Sequence, residues 1–401
     1  MISDISTSVQ HATTHPKFLN SNSTSHTWAF GAVAEIVDNA QDPDVMADRL
    51  CIDSQTMRGH VTLTFTDNGM GLNREGLHKM LSFGHSDKAG FELGARYRAV
   101  GRYGNGFKSG SMRLGEDALV LTRCASSQSV GLLSQTFLHE IGASEVLVPM
   151  VSWDLSGQRL RSEDDQSLEY ILAHGIFDSE DSLLAHLASM QHRPTDGGGE
   201  GGTGSGTAIF IWRLRGYPGG RSAESGPELD LATDPHDFRM SSGEGAGGAS
   251  GAATYTRRRT FQRGDVPIDY SLRAYLAILY KVPRMQITIS GQPVRTKRAS
   301  SLLAHATTDT YSPHQASLAT AGAAGGVVES DSGTTAVIEL GWSTDGRLRQ
   351  TTDHLYGMHI YHRNRLITPY FRVGMQEEPN ERGAWLRIRV RVRVRVRVRV
   401  R

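Results

Sequence analysis

The chain has 401 residues, 38% of them hydrophobic and 21% charged, enough for about two domains with a sizeable core. No apolar run is long enough to cross a bilayer, the start Met1-Ile2-Ser3-Asp4 lacks the basic-then-apolar pattern of a secretory signal, and two cysteines, Cys51 and Cys124, give neither a zinc module nor a disulfide pattern and suit a reducing compartment. The formal charge of +1 falls to −7 once the eight arginines of residues 387–401 are set aside, so the body of the chain does not advertise nucleic-acid binding.

In chain order, the Ser/Thr cluster at 20–27 offers N-caps for a helix over 27–42, which Pro43 closes. On that helix Glu35, Asp38, Asn39 and Asp42 fall at i, i+3, i+4 and i+7 and share one face, while Ala34, Ile36, Val37 and Ala40 can face a core. The bland reading of this stripe is a solvated acidic face. With no Lys or Arg on it, it also suits meeting a cation or polarising a water.

The alternation Val61-Leu63-Phe65 predicts a strand over 61–66. It runs into Asp67-Asn68-Gly69-Met70-Gly71, by itself a good turn, and then a helix over 72–81. A long loop follows from Phe83 to Gly110, ending in the glycine-rich Gly101-Arg102-Tyr103-Gly104-Asn105-Gly106-Phe107-Lys108-Ser109-Gly110. Its glycines leave backbone N–H groups free for oxyanions, Lys108 adds a point charge and Ser109 a donor; the competing reading is a plain flexible linker.

Strands are expected at 118–123 and 129–135, giving α/β layers with an open mixed sheet. Residues 197–206 are nearly all glycine, and Thr207–Trp212 reads as a buried strand. The Gly/Ser/Ala-rich stretches at about 216–264 and 304–334 bury too little apolar surface to order themselves and are expected to be disordered insertions. Around them fall a helix over 269–280, a strand over 285–290, and strands at 336–340 and 359–361. The Arg-Val alternation of 387–401, broken only by Ile388, is low-complexity sequence; as a strand it would carry one cationic face able to grip phosphates.

An acidic helix, Asp-x-Gly-x-Gly after a strand, and a glycine-rich Lys/Ser loop, in that order, resemble the GHKL ATPases, the superfamily of gyrase, heat-shock chaperone, histidine kinase and MutL. Leu81-Ser82-Phe83-Gly84-His85-Ser86-Asp87-Lys88, Tyr103-Gly104-Asn105-Gly106-Phe107-Lys108-Ser109-Gly110-Ser111, Val130-Gly131-Leu132-Leu133-Ser134-Gln135 and Tyr361-His362-Arg363-Asn364-Arg365-Leu366-Ile367 narrow the likeness to the microrchidia (MORC) ATPases. The resemblance implies an α+β architecture: a GHKL (Bergerat) sandwich over 16–215, then a ribosomal-protein-type βαβ transducer over 265–385.

It also implies roles. Glu35 is the general base that orients and deprotonates the attacking water. Asn39 supplies a neutral oxygen to Mg²⁺. Asp38 and Asp42 support that site, Asp38 being counted with the nucleotide contacts. Asp67 accepts from the exocyclic amine of adenine, Gly69 and Gly71 let the backbone approach the base, and Thr207 lines the same side. Ser86, Lys88, Gly104, Asn105, Gly106, Phe107, Lys108 and Ser109 form a lid over the phosphates. ATP and Mg²⁺ are thus the implied cofactors, with an ATP-dependent homodimer, DNA or chromatin and nuclear silencing proteins as implied partners and the nucleus as location. No candidate for the lysine that such transducers send to the γ-phosphate is found after Arg372-Val373-Gly374, which keeps open a rival reading: an ATP-binding dimerisation module with weak or no turnover.

Overall fold

The computed structural model describes residues 14–23, 28–42, 44–82, 105–190, 204–216, 228–241, 270–296, 303–311, 335–343, 358–362, 364–371 and 389–395. Two compact units emerge, one comprising 1–260 with 270–272 and 284–294, the other 261–269, 273–283 and 295–401.

The first unit starts with α1 (Lys17–Ser23), α2 (Ala29–Gln41), β1 (Arg49–Met57), β2 (His60–Asp67), α3 (Arg74–Leu81) and α4 (Gly106–Leu114). It continues with β3 (Gly115–Arg123), β4 (Gln128–Ser134), α5 (Gln135–Glu140), β5 (Met150–Trp153), α6 (Asp165–His174), α7 (Glu180–Ser189), β6 (Gly206–Leu214), β7 (Leu229–Asp230) and β8 (Arg239–Met240). The short helix α8 (Leu272–Leu276) carries the chain into the second unit, and β9 (Gln286–Ile289) and β10 (Gln292–Pro293) bring it back.

Eight strands form one sheet in the order β10-β9-β1-β2-β6-β3-β4-β5, antiparallel throughout except for the parallel pair β1–β9. Strand β3 is buried almost end to end because both faces are covered. One face, through Leu119, Leu132, Phe210 and Trp212, packs with Leu168 and Ile171 of α6 and Leu183 and Leu187 of α7. The other face carries Phe65, Asp67, Thr122, Thr207 and Ile209, and it is the face that matters below. Register places Asp67 opposite Thr207 and Thr207 opposite Thr122, one polar row across three adjacent strands.

In the second unit β11 (Leu303–Tyr311), β12 (Thr335–Ser343), β13 (Met358–His362), β14 (Arg365–Phe371) and β15 (Arg389–Arg395) form a sheet in the order β11-β12-β15-β13-β14. Asn364, at φ 79°, takes the left-handed turn between β13 and β14, and its side chain bonds both the N–H and the carbonyl of Val282. The buried Arg365 donates to the hydroxyl of Tyr275.

Several expectations change. The helix expected over 27–42 begins at Ala29, with Trp28 at its N-cap and no side-chain cap. The loop expected to run to Gly110 gives way to helix at Gly106, because Phe107 to Leu114 are all buried and packing against α2 overrides the low helix propensity of Gly106 and Gly110. The helix expected over 269–280 is only Leu272–Leu276.

The stretch at 216–264 is not wholly without order: Glu228 forms a buried two-point ion pair with Arg113 of α4, at 2.7 and 3.0 Å, and β7 pairs with β8. Residues 303–311, overlapping the stretch expected to begin at 304, form β11. The Arg-Val repeat supplies β15 in the interior of the second sheet. Among the described residues no helix is long and apolar enough to cross a membrane.

Candidate functional site

Helix α2 lies against α4 at very short range. A Cβ on Gly110 would stand 2.9 Å from the carbonyl oxygen of Ala32, and one on Gly106 would stand 2.6 Å from Oε2 of Glu35. The absence of side chains at these two positions therefore brings the Glu35 carboxylate to the N-terminus of α4, where the positive end of the helix dipole lies. Asn39, one turn beyond Glu35, lines a cleft between α2 and the sheet, with Ile36 and Ala40 beside it. Asp38 and Asp42 are buried and stand outside that lining.

The cleft is partly open to solvent, with a cavity volume of about 50 Å³. Its walls are largely apolar: Val45, Leu50, Phe65, Leu72, Met80 and Ile209. Asp67 sits at the end of β2, where its carboxylate accepts from the backbone N–H of Gly69 at 2.8 Å. Desolvation pushes the Asp67 carboxyl up to about 7, against the pull of backbone hydrogen bonds from Gly69 and Thr207. A carboxyl poised near neutrality at the end of an apolar slot is suited to a ligand that donates a hydrogen bond.

The turn after Asp67 is packed tightly. Gly71 has φ 66°, and a Cβ there would fall 1.9 Å from the carbonyl oxygen of Arg123, so only glycine fits. A Cβ on Gly69 would meet Val45 at 2.5 Å. Asn68 ties the same turn to β1, its amide oxygen accepting from the N–H groups of Asp48 and Arg49.

At the opposite end, α4 places the lid residues differently from the loop reading. The Ser109 hydroxyl donates to the carbonyls of Asn105 and Gly106 within its own first turn. Lys108 is fully buried, and its ammonium donates to the carbonyl of Met80 at 3.0 Å. Burial pushes that ammonium down to about 8, so the charge is a cost to the ligand-free fold rather than a support. Asn105 occupies the N-cap without a side-chain cap, and Phe107 is buried. Ser86, Lys88 and Gly104 lie outside the described residues.

The structure thus gathers Asn39, Asp67, Gly71 and Thr207 around one cleft and sets Glu35 beside the first residue of α4. Sequence reasoning missed Val45, Leu50 and Met80, whose place in the walls depends on tertiary packing alone, and it missed Thr122. That threonine, following the apolar run Ala118–Leu121, shows its contacts only once the register of β3 with β6 is known. Among the described residues no group of three or more His, Cys, Asp or Glu side chains could hold a metal ion by itself. The single amide oxygen of Asn39 fits an ion that keeps several waters and is otherwise held by phosphate, as Mg²⁺ is.

Comparison with known proteins matches residues 26–163 to the histidine kinase-, DNA gyrase B- and HSP90-like ATPase family model, and residues 270–386 to the Morc6 ribosomal protein S5 domain 2-like model. MORC family CW-type zinc finger protein 3 of Mus musculus is 41% identical over 370 residues, covering 92% of this chain and 35% of that protein. Protein MICRORCHIDIA 1 of Arabidopsis thaliana is 32% identical, covering 94% of this chain and 55% of the relative. ATPase MORC2 of Homo sapiens is 33% identical, covering 72% of this chain and 25% of the relative. The chain therefore spans between a quarter and just over half of these relatives.

Proposed function

The chain belongs to the microrchidia family of GHKL ATPases, and from that premise we propose that it binds ATP with Mg²⁺ in the cleft above Asp67 and hydrolyses it with Glu35 as general base. One observation carries the reading: a single helix, α2, brings Asn39 to the cleft and the Glu35 carboxylate to the N-terminus of α4, where phosphate would be received.

The apolar slot takes the adenine ring, and ionised Asp67 accepts from its exocyclic amine. The backbone N–H groups at the start of α4 bind phosphate oxygens, and Lys108, already desolvated and costly in the empty protein, moves from Met80 to the same charge. Glu35 holds the attacking water and takes its proton. Asn39 donates its amide oxygen to Mg²⁺, which when bound offsets the charge of the phosphates. Closure of the segment before α4 over the nucleotide, dimerisation of the ATP-bound heads, and action on chromatin or DNA in the nucleus complete the proposal, and these rest on family membership.

The test is Mg²⁺-dependent ATP turnover of the chain against Glu35→Ala, with nucleotide binding followed in parallel and folding checked by circular dichroism. Turnover abolished in the variant with binding retained supports the assignment. Binding without turnover in the unaltered chain makes it an ATP-holding module. Sedimentation with a non-hydrolysable analogue then tests dimerisation.

A further inference from the structure

The face of the sheet beneath the cleft carries a hydroxyl that the proposed reaction does not use. Thr122 of β3 is fully buried, and its Oγ1 is a junction of three contacts. It accepts from the backbone N–H of Leu72 at 2.7 Å, lies 3.3 Å from the Gly206 carbonyl as donor, and lies 3.3 Å from Oγ1 of Thr207. Leu72 and Thr207 both line the cleft, and the Thr207 N–H bonds Asp67. Leu72 also follows Gly71, whose backbone is pressed against Arg123, the residue after Thr122.

A hydroxyl with one hydrogen and two lone pairs meets this set of partners; an apolar side chain of the same shape meets none. Within the turn Asn68–Leu72 the Asn68 N–H bonds the Arg49 carbonyl and the Met70 N–H that of Val45, while the partner of the Leu72 N–H is the Thr122 hydroxyl. Two strands and one turn meet at this atom: β6 through Gly206 and Thr207, β3 itself, and the turn through Leu72; β2 is one step removed, through the Thr207 N–H to Asp67.

We propose that Thr122 is a positioning residue for nucleotide binding, fixing the turn at Leu72 and the hydroxyl of Thr207 so that the base end of the cleft is built before ligand arrives. The proposal rests on the nucleotide reading above. It assigns Thr122 no contact with the nucleotide and no part in the chemistry at Glu35, so its signature is a change in affinity without a change in turnover.

The experiment compares Thr122→Val, which keeps the shape and removes the hydroxyl, with Thr122→Ser, which keeps the hydroxyl. In the ligand-free full chain, amide hydrogen exchange at Leu72 is expected to accelerate at least about tenfold in Thr122→Val and to stay near the unaltered rate in Thr122→Ser. With ATP, Thr122→Val is expected to raise KM about tenfold with kcat within about twofold, and Thr122→Ser to restore most of the affinity. Unchanged exchange at Leu72, or an unchanged KM in Thr122→Val, overturns the proposal. So does a parallel fall of kcat with folded yield at constant KM, which marks a purely structural threonine. If the unaltered chain binds no ATP, the nucleotide reading fails and this role falls with it; if it binds ATP and Thr122→Val binds equally well, only the role of Thr122 fails.

Discussion

The cleft at Asp67 and the start of α4 are prepared in opposite ways. At the base end Asp67, Gly71, Thr207 and Thr122 are fixed by strand register and by hydrogen bonds to backbone, and the walls are already in place. At the phosphate end the side chains that chemistry would enlist are engaged elsewhere: Ser109 with its own helix and Lys108 with Met80. What α4 offers there without rearrangement is backbone N–H and the helix dipole, with Glu35 alongside. Under the proposed reading, the pre-bonded end would recognise the base and the end that exchanges partners would receive phosphate.

The sharpest break in that comparison is Glu35→Gln. It keeps size and hydrogen bonding but cannot take a proton, so turnover is expected to fall by about 10²–10⁴ with ATP affinity within a few-fold, read by phosphate release and calorimetry. Next is Asp67→Asn, expected to weaken ATP binding by about 10²-fold, because the amide replaces an acceptor beside the base. This variant also changes the pH response. The Asp67 carboxyl titrates near 7 in the fold against an ordinary 3.8, so the fold binds this proton more tightly than the unfolded chain does. Its stabilising contribution is complete below about pH 4 and is lost as pH rises through about 7, at most about 4 kcal/mol in all. Thermal melts of the ligand-free chain between pH 4 and 8 should show that decline, and Asp67→Asn should flatten it. ATP affinity of the unaltered chain should run the other way, strengthening as Asp67 ionises.

Smaller again is Lys108→Met, expected to weaken ATP binding about tenfold without lowering the melting temperature of the ligand-free chain, since the buried ammonium is a net cost to that fold. A large drop in melting temperature with unaltered affinity would make Lys108 a strut between α4 and α3. Smallest is Ser109→Ala, expected to change ATP affinity by less than about threefold, because that hydroxyl is committed to Asn105 and Gly106. A larger loss would mean that the first turn of α4 reorganises around phosphate.

The turn after β2 was legible in the sequence because its signals are local: a strand that ends in Asp67 and turns through Gly69 and Gly71 announces a close backbone approach within five residues. The stripe on α2 was legible only in part: Asn39 lines the cleft together with Ile36 and Ala40, whereas Asp38 and Asp42 are buried outside it. What stayed hidden is set by distant partners. Gly106 and Gly110 read as loop, yet they are helical because α2 needs their missing side chains. Glu228 lies in a stretch whose composition promises disorder, and its order comes from Arg113, more than a hundred residues away. Thr122 is one threonine at the end of the apolar run Ala118–Leu121 until β6 lies beside it.

The strand β9 has a practical consequence for anyone who divides this chain into pieces. The stretch 284–294 belongs to the first unit although residues 273–283, which precede it, belong to the second. A fragment stopped near residue 265, where composition suggests a boundary, would strip β1 of its parallel partner and leave the backbone groups of Arg49 to Ile52 as a raw edge. Such a fragment is apt to pair with itself and precipitate, and its loss of activity would then say nothing about the need for a second domain. A cut placed after Val294 keeps that edge covered.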